Sequence, residues 1–215
     1  MNERMTFTRA IGLACNKVIL LIVRGLALSK IHPNVLTFLG LLINIGAAAL
    51  LALGQFRWAG AVIIGAGLFD MVDGRVARET NRVTRFGGFF DSVLDRYSDL
   101  ALLVGLLVWY GSINRWGYVV LTAIAMTGSV MVSYARARAE NTIPTCKVGF
   151  MERPERVVLF IIGALFDRMA PVLWVIAVLA NWTVVHRMVF TWQETKRLEE
   201  AQLRPQAVRA ASKSN

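Results

Sequence analysis

Long apolar runs separated by short polar connections dominate the chain, and they predict an all-α integral membrane protein. The first clean run, residues 35–54, is uncharged and long enough as a helix to cross about 30 Å of hydrocarbon. A second covers 58–71, and its helix is expected to continue past the membrane face through Asp70 and Asp73. A third covers 89–113 and carries Asp91, Asp95 and Asp99 in its early turns. A fourth covers 116–134. The fifth, 157–166, is short by itself and is expected to begin inside the polar motif before it. The sixth starts at Met169 or Pro171 and runs to Val185. Six transmembrane helices follow from this pattern.

Two segments flank the spans. Residues 7–29 are apolar at Ile11, Leu13, Val18, Ile19, Ile22, Val23 and Leu26, but Lys17 and Arg24 interrupt them. A secretory signal would keep its apolar region unbroken, so an amphipathic juxtamembrane helix on the cytoplasmic face is expected instead. Beyond Gln193 the chain is polar, with no hydrophobic stripe, and predicts a frayed helix end followed by disorder. Residues 1–198 then form one membrane domain and 199–215 a polar tail.

Composition agrees with the pattern. The chain has 215 residues, 56% of them hydrophobic, with a mean hydropathy of +0.52, beyond the range of ordinary soluble domains. The net charge is +10. In a soluble protein that balance would suggest nucleic acid. Here the cations flank apolar spans, so lipid headgroups and phosphate-bearing substrates are the expected partners and nucleic acid is not. With both termini in the cytoplasm, all of the 24 Lys and Arg residues except Arg57, Arg115 and Arg168 fall inside. An odd number of spans would spoil that partition. The expected location is a bacterial cytoplasmic membrane. Cys15 and Cys146 have no metal-ligand spacing and read as free thiols.

One half-polar stretch carries the chemistry. Residues 70–95 read DMVDGRVARETNRVTRFGGFFDSVLD. Asp70 and Asp73 are three apart and Asp91 and Asp95 four apart, and either spacing puts two carboxylates on one helix face. A charge at the centre of a membrane helix costs about 2.5–3.5 kcal/mol, so four carboxylates beside apolar spans need a cation to offset them. Two such helices can converge into an oxygen-rich cage suited to Mg²⁺ or Mn²⁺. Two ions a few Å apart can clamp a diphosphate. Gly74 and Ala77 leave room for a group to approach the helix, and Arg78 can fork onto phosphate oxygens. The loop over 79–86 is basic and polar, as a phosphate pocket requires. A salt-bridged helix pair would leave these small residues without a role.

The pattern Asp70, Asp73, Gly74, Ala77, Arg78, Gly87, Asp91, Asp95 resembles the signature of the CDP-alcohol phosphotransferase family, integral membrane enzymes that move a phosphatidyl group from a CDP-linked lipid to an alcohol and release CMP. The resemblance implies six transmembrane helices, a juxtamembrane helix and a homodimer. It implies that Asp70, Asp73 and Asp91 hold two Mg²⁺ ions, with Asp70 and Asp91 bridging. Asp95 would touch one ion and serve as the general base on the acceptor hydroxyl. Gly74, Ala77, Arg78, Thr84 and Gly87 would contact the CDP-lipid, as would the segment Asn34, Val35, Leu36, Thr37 after Pro33. That segment also reads as a helix start with Asn34 as its cap; the two readings are compatible.

The acceptor is read from a second polar constellation, residues 133–140 (SYARARAE), residues 149–156 (GFMERPER) and Arg187. Arg136 and Arg138 are two apart and do not share a helix face, whereas Arg153 and Arg156 are three apart and can converge. Several arginines can form a site for a phosphate on the acceptor itself, although anchoring to lipid headgroups would also use them. These stretches resemble the phosphatidylinositol-phosphate synthases, in which a Ser, a Lys and arginines hold inositol phosphate. Ser133, Arg136, Arg156 and Arg187 occupy the matching positions, and Arg138 and Arg153 are their neighbours. Arg136 stands where that group has Lys, and Asn34 where it has Asp. CDP-diacylglycerol is the expected donor and a phosphorylated polyol, inositol 1-phosphate first, the expected acceptor. Glycerol 3-phosphate or an unphosphorylated alcohol are alternatives. An ion transporter or a lipid-bound scaffold would leave the aspartate spacing unexplained.

Overall fold

The computed structural model describes the backbone of residues 32–79 and 83–213 and the side chains of 32–70, 78 and 83–201. The expected juxtamembrane helix over 7–29 lies outside the described residues. Within them the fold is all-helical, with six helices: α1 (Pro33–Ala52), α2 (Phe56–Glu79), α3 (Arg85–Ser112), α4 (Trp116–Ala139), α5 (Arg153–Leu165) and α6 (Met169–Lys213). Three of the described helices are long and apolar enough to cross a membrane: α1, α4 and, over Met169–Ala201, α6. The other three differ for physical reasons. α2 and α3 carry the aspartates inside the helix. α5 has 13 residues, about 20 Å at 1.5 Å per residue.

α1 is apolar all round, as expected of a helix with protein on one side and lipid on the other. Leu36, Ala47 and Leu51 are buried, while Val35, Phe38, Leu42 and Ile45 are exposed. Its start differs from the expected one. His32 is the cap, and its Nδ1 accepts from the Asn34 backbone N–H at 3.3 Å, with Pro33 in the first turn. Asn34 therefore sits inside the helix, and its side chain is left for another use. At the other end of the chain, the helix does not fray at Gln193 but continues to Lys213. The sequence after Gln193 is rich in Glu, Lys, Arg, Leu and Ala, strong helix formers that need no apolar stripe to stay helical.

The chain divides into two compact units, Met1–Gly105 and Leu106–Asn215, with the boundary inside α3. In the first, α1 packs along α2. The buried face of α2 is Ala59, Ile63 and Ala66, and Asp70 is the next residue on that stripe. α3 approaches α1 so closely that a Cβ at Gly105 would run into the backbone of Ala48. In the second unit, α4 and α5 both pack on α6.

Candidate active site

The aspartates of α3 form a ladder of i, i+4 steps that descends into the core. Asp91 is exposed, Asp95 half-buried and Asp99 buried, and the same stripe continues as Leu102, Leu103 and Leu106. A helix face that is apolar for two turns and then turns acidic delivers its carboxylates to one end of the helix. Asp70 does the same for α2 and is half-buried. Asp73, Gly74 and Ala77 follow on α2; their side chains lie outside the described residues.

α1 is the wall that relates these elements. A Cβ added at Gly40 would lie 2.9 Å from Asp70 Oδ1, so the carboxylate occupies the space the glycine leaves. Six residues earlier, about 9 Å along the helix, Asn34 faces the start of α3. A Cβ at Gly87 would lie 3.4 Å from Asn34 Oδ1 and 3.0 Å from Thr84 Oγ1. Thr84 caps α3, accepting from the Gly87 N–H at 2.9 Å. The contacts Asn34 with Gly87 and Ala48 with Gly105 advance in the same direction, so α1 and α3 run parallel. Interpolating between them by helical rise sets Gly40, and with it Asp70, level with the turns carrying Asp91 and Asp95.

The donor chemistry of this end fits a hard divalent cation. The carboxylates would supply oxygen ligands, and Gly40 keeps a side chain from crowding Asp70. Among the described residues no group of three His, Cys, Asp or Glu side chains is gathered around one point; that search does not include Asp73. Arg78 is exposed at the end of α2, and Val35 points outward. Leu36 is core, 1% exposed, and Thr37 Oγ1 bonds back to the Pro33 carbonyl at 3.3 Å. Gly40→Ala should leave thermal stability nearly unchanged, because only a carboxylate tip must move. Displacing the Asp70 carboxylate by a fraction of an ångström should still lower turnover about tenfold. Melting and CMP release measured on the same preparation check both halves.

The second unit holds the arginines, and it sorts them. Arg187 is 1% exposed and commits three donors to protein: Nε to Val148 O at 2.8 Å, Nη1 to Val132 O at 2.6 Å and Nη2 to Glu152 Oε1 at 2.7 Å. It ties α4, the 140–152 loop and α6 together. The loop comes close enough for this because Gly149 adopts φ +105° beside Thr183, a conformation that L side chains rarely take. Met151 N–H then donates to Thr183 Oγ1 at 3.3 Å. Arg156 is also 1% exposed and donates to the Met151 carbonyl at 3.2 Å. Arg136 is different: partly exposed, it reaches Glu152 at 3.0 Å and Glu140 at 3.1 Å. It lines a polar cavity of about 320 Å³ with Lys147, Gly149, Phe150, Glu152 and Glu155. Ser133 and Arg153 are half-buried, and Arg138 is exposed and faces elsewhere. Lys147 and Glu152 join this cavity without a signal in the local sequence. Glu152 stands beside the first arginine of the ERPER stretch, but its partners are far off in the chain.

Residues 30–193 match the model of the CDP-alcohol phosphatidyltransferase family. The chain is 37% identical to the archaetidylinositol phosphate synthase of Pyrococcus horikoshii over 82% of its own length and 90% of that protein. It is also 37% identical to the phosphatidylinositol phosphate synthase of Mycobacterium tuberculosis, over 80% of this chain and 84% of the other. The crystal structure of the M. tuberculosis phosphatidylinositol phosphate synthase with CDP-DAG bound superposes with a TM-score of 0.76 at 33% identity, covering 82% of this chain and 94% of that one. The same enzyme in complex with manganese and citrate gives a TM-score of 0.74 at 34% identity, covering 80% and 87%. Sequence motif, helical architecture and these relatives agree: the chain is an integral membrane enzyme belonging to the CDP-alcohol phosphatidyltransferase family.

Proposed function

We propose that this enzyme transfers the phosphatidyl group of CDP-diacylglycerol to inositol 1-phosphate, forming phosphatidylinositol phosphate and releasing CMP. The observation that carries the acceptor is a contrast among the relatives. One makes an archaetidyl lipid and another a phosphatidyl lipid, yet both names carry inositol phosphate. The lipid varies and the acceptor does not. The donor is supported by the aspartate motif and by the CDP-DAG named in the neighbouring crystal structure.

Asp70, Asp73, Asp91 and Asp95 would hold two divalent ions, Mg²⁺ or the Mn²⁺ named for the neighbour, which when bound neutralise the diphosphate and acidify the acceptor hydroxyl. Arg78 and Thr84 bind phosphate oxygens. The Thr84 hydroxyl accepts from Gly87 N–H and keeps its own proton to donate. Asn34 and Gly87, with Thr37, Gly74 and Ala77, border the nucleotide. Asp95 takes the proton of the acceptor hydroxyl, whose oxygen attacks the β-phosphorus in line. The new P–O bond forms as the bond to CMP breaks.

For the acceptor phosphate we assign the polar cavity of the second unit, with Arg136 and Lys147 as its cations. Ser133, Arg153 and Arg156 support it, and Arg187 holds its loop. Residues 1–198 act as one catalytic domain with six membrane spans, as a homodimer with both termini and the site at the cytoplasmic face. A panel of inositol phosphate, glycerol phosphate, inositol and serine, offered with Mg²⁺ and labelled CDP-diacylglycerol, tests the assignment. Only inositol phosphate should be consumed at speed; consumption of an unphosphorylated alcohol alone would overturn it. Arg136→Gln should raise the KM for inositol phosphate about tenfold and leave the KM for CDP-diacylglycerol unchanged, the loss expected for one charge-assisted bond. Steady-state kinetics with each substrate varied in turn measure the difference.

A further inference from the structure

Arg138 does not line the polar cavity that holds Arg136. It opens on a separate groove of about 580 Å³ between α4 and α6, lined by Met131, Tyr134, Arg138 and Thr142 on one side and Met188, Trp192 and Thr195 on the other. The two helices run parallel here. Asn181 Nδ2 reaches the Ile124 carbonyl at 3.4 Å and Arg187 Nη1 the Val132 carbonyl at 2.6 Å, so both chains advance together. The groove therefore has ordered chemistry. Methionines 131 and 188 form one end. Tyr134 and Trp192, both more than half exposed, flank the middle. Arg138, Thr142 and Thr195 form the other end, and Lys196, one residue past Thr195, holds its Nζ 6.0 Å from the Trp192 ring centroid. Arg138 has no hydrogen-bond or ion-pair partner among the described residues.

An apolar floor, an aromatic girdle and a lining cation with a second cation beside the girdle, in that order along a membrane helix, match one molecule lying parallel to it: a lipid with a negative headgroup. A free anion would use the cations and leave the methionines idle. A second copy on a two-fold axis would bring Arg138 and Lys196 of both copies together without a negative counterpart. We propose that this groove binds an anionic phospholipid of the surrounding leaflet, its phosphate on Arg138 and Lys196 and one acyl chain over Met131 and Met188. Arg138 is then a lipid ligand, and the pair Arg136 and Arg138 divides between substrate and membrane.

Native mass spectrometry of the detergent-solubilised protein with added phosphatidylglycerol or phosphatidylcholine of identical chains tests this. The wild type should retain the anionic lipid preferentially. Arg138→Gln should cut that preference about fivefold, the loss expected for one headgroup cation, and Arg138→Lys should keep it. Met188→Trp, which fills the floor, should lose both lipids. If Arg138→Gln lowers the melting temperature, Lys196→Gln gives the same reading from the other cation. An unchanged preference in both Gln variants overturns the proposal. So does stoichiometric displacement of the lipid by CDP-diacylglycerol, which would make the groove the donor site. So does loss of dimer with lipid retained in Met188→Trp, which would make a second copy the occupant.

Discussion

Asp95→Asn should abolish CMP release while leaving CDP-diacylglycerol bound. The residue sits at the half-buried step of the α3 ladder, between exposed Asp91 and buried Asp99. That is the depth at which a carboxylate can meet both a substrate arriving from water and one whose tails remain in lipid. A carboxylate beside a metal is a weak base, so the hydroxyl must also be made more acidic by that metal; neither contribution suffices alone. The amide keeps the size and can still offer an oxygen, but it cannot take the proton. Removing a general base typically costs 10²–10⁴-fold, and the upper end is expected because in the proposed site the same group would also touch an ion. Donor binding should survive, because the proposed ion and phosphate contacts other than Asp95 are left in place. Equilibrium binding of labelled donor and a CMP-release assay separate the two effects. Full turnover in the variant would remove Asp95 from the mechanism.

Arg187→Met should destabilise the second unit by about 3 kcal/mol, the range for breaking one side of a buried charged network. The methionine fills similar volume but leaves the Val132 and Val148 carbonyls and one face of Glu152 without their donor. Glu152 is itself partly exposed, so water offsets part of the loss on that side. The 140–152 loop should loosen first, since Arg187 holds it at Val148 and Glu152. Thermal unfolding in detergent gives the overall change, and hydrogen exchange over 147–152 localises it. If the variant melts like the wild type and only its affinity for inositol phosphate falls, Arg187 is a ligand and not a tie.

These two residues also mark how much the sequence discloses. The aspartate ladder is legible because helical spacing is local: Asp91, Asp95 and Asp99 must share a face wherever the helix lies. The same rule separates Arg136 from Arg138, and they open on different cavities. The arginines that read as acceptor ligands include Arg187, which the structure buries and commits to two carbonyls and Glu152. Nothing in the residues around it announces that, because its partners lie 39, 55 and 35 positions away. Glu152 escaped notice for the same reason. The helix start at Asn34 misled by two residues, since a histidine before proline is an uncommon cap. The tail past Gln193 departs from the expected frayed end followed by disorder, because intrinsic propensity sustains a helix to Lys213 without an apolar stripe. Local periodicity is written in neighbours; long-range ties and glycine cradles such as Gly40 beside Asp70 are not.

In this reaction the phosphate carried by the acceptor ends in the lipid. Inositol phosphate labelled with ³²P, incubated with the purified enzyme, Mg²⁺ and unlabelled CDP-diacylglycerol, tests it directly. The label should move into the organic phase, one per CMP released, and none should move without the CDP-lipid. Stoichiometric CMP release with all the label left in water, or equal release with unphosphorylated inositol, would contradict it.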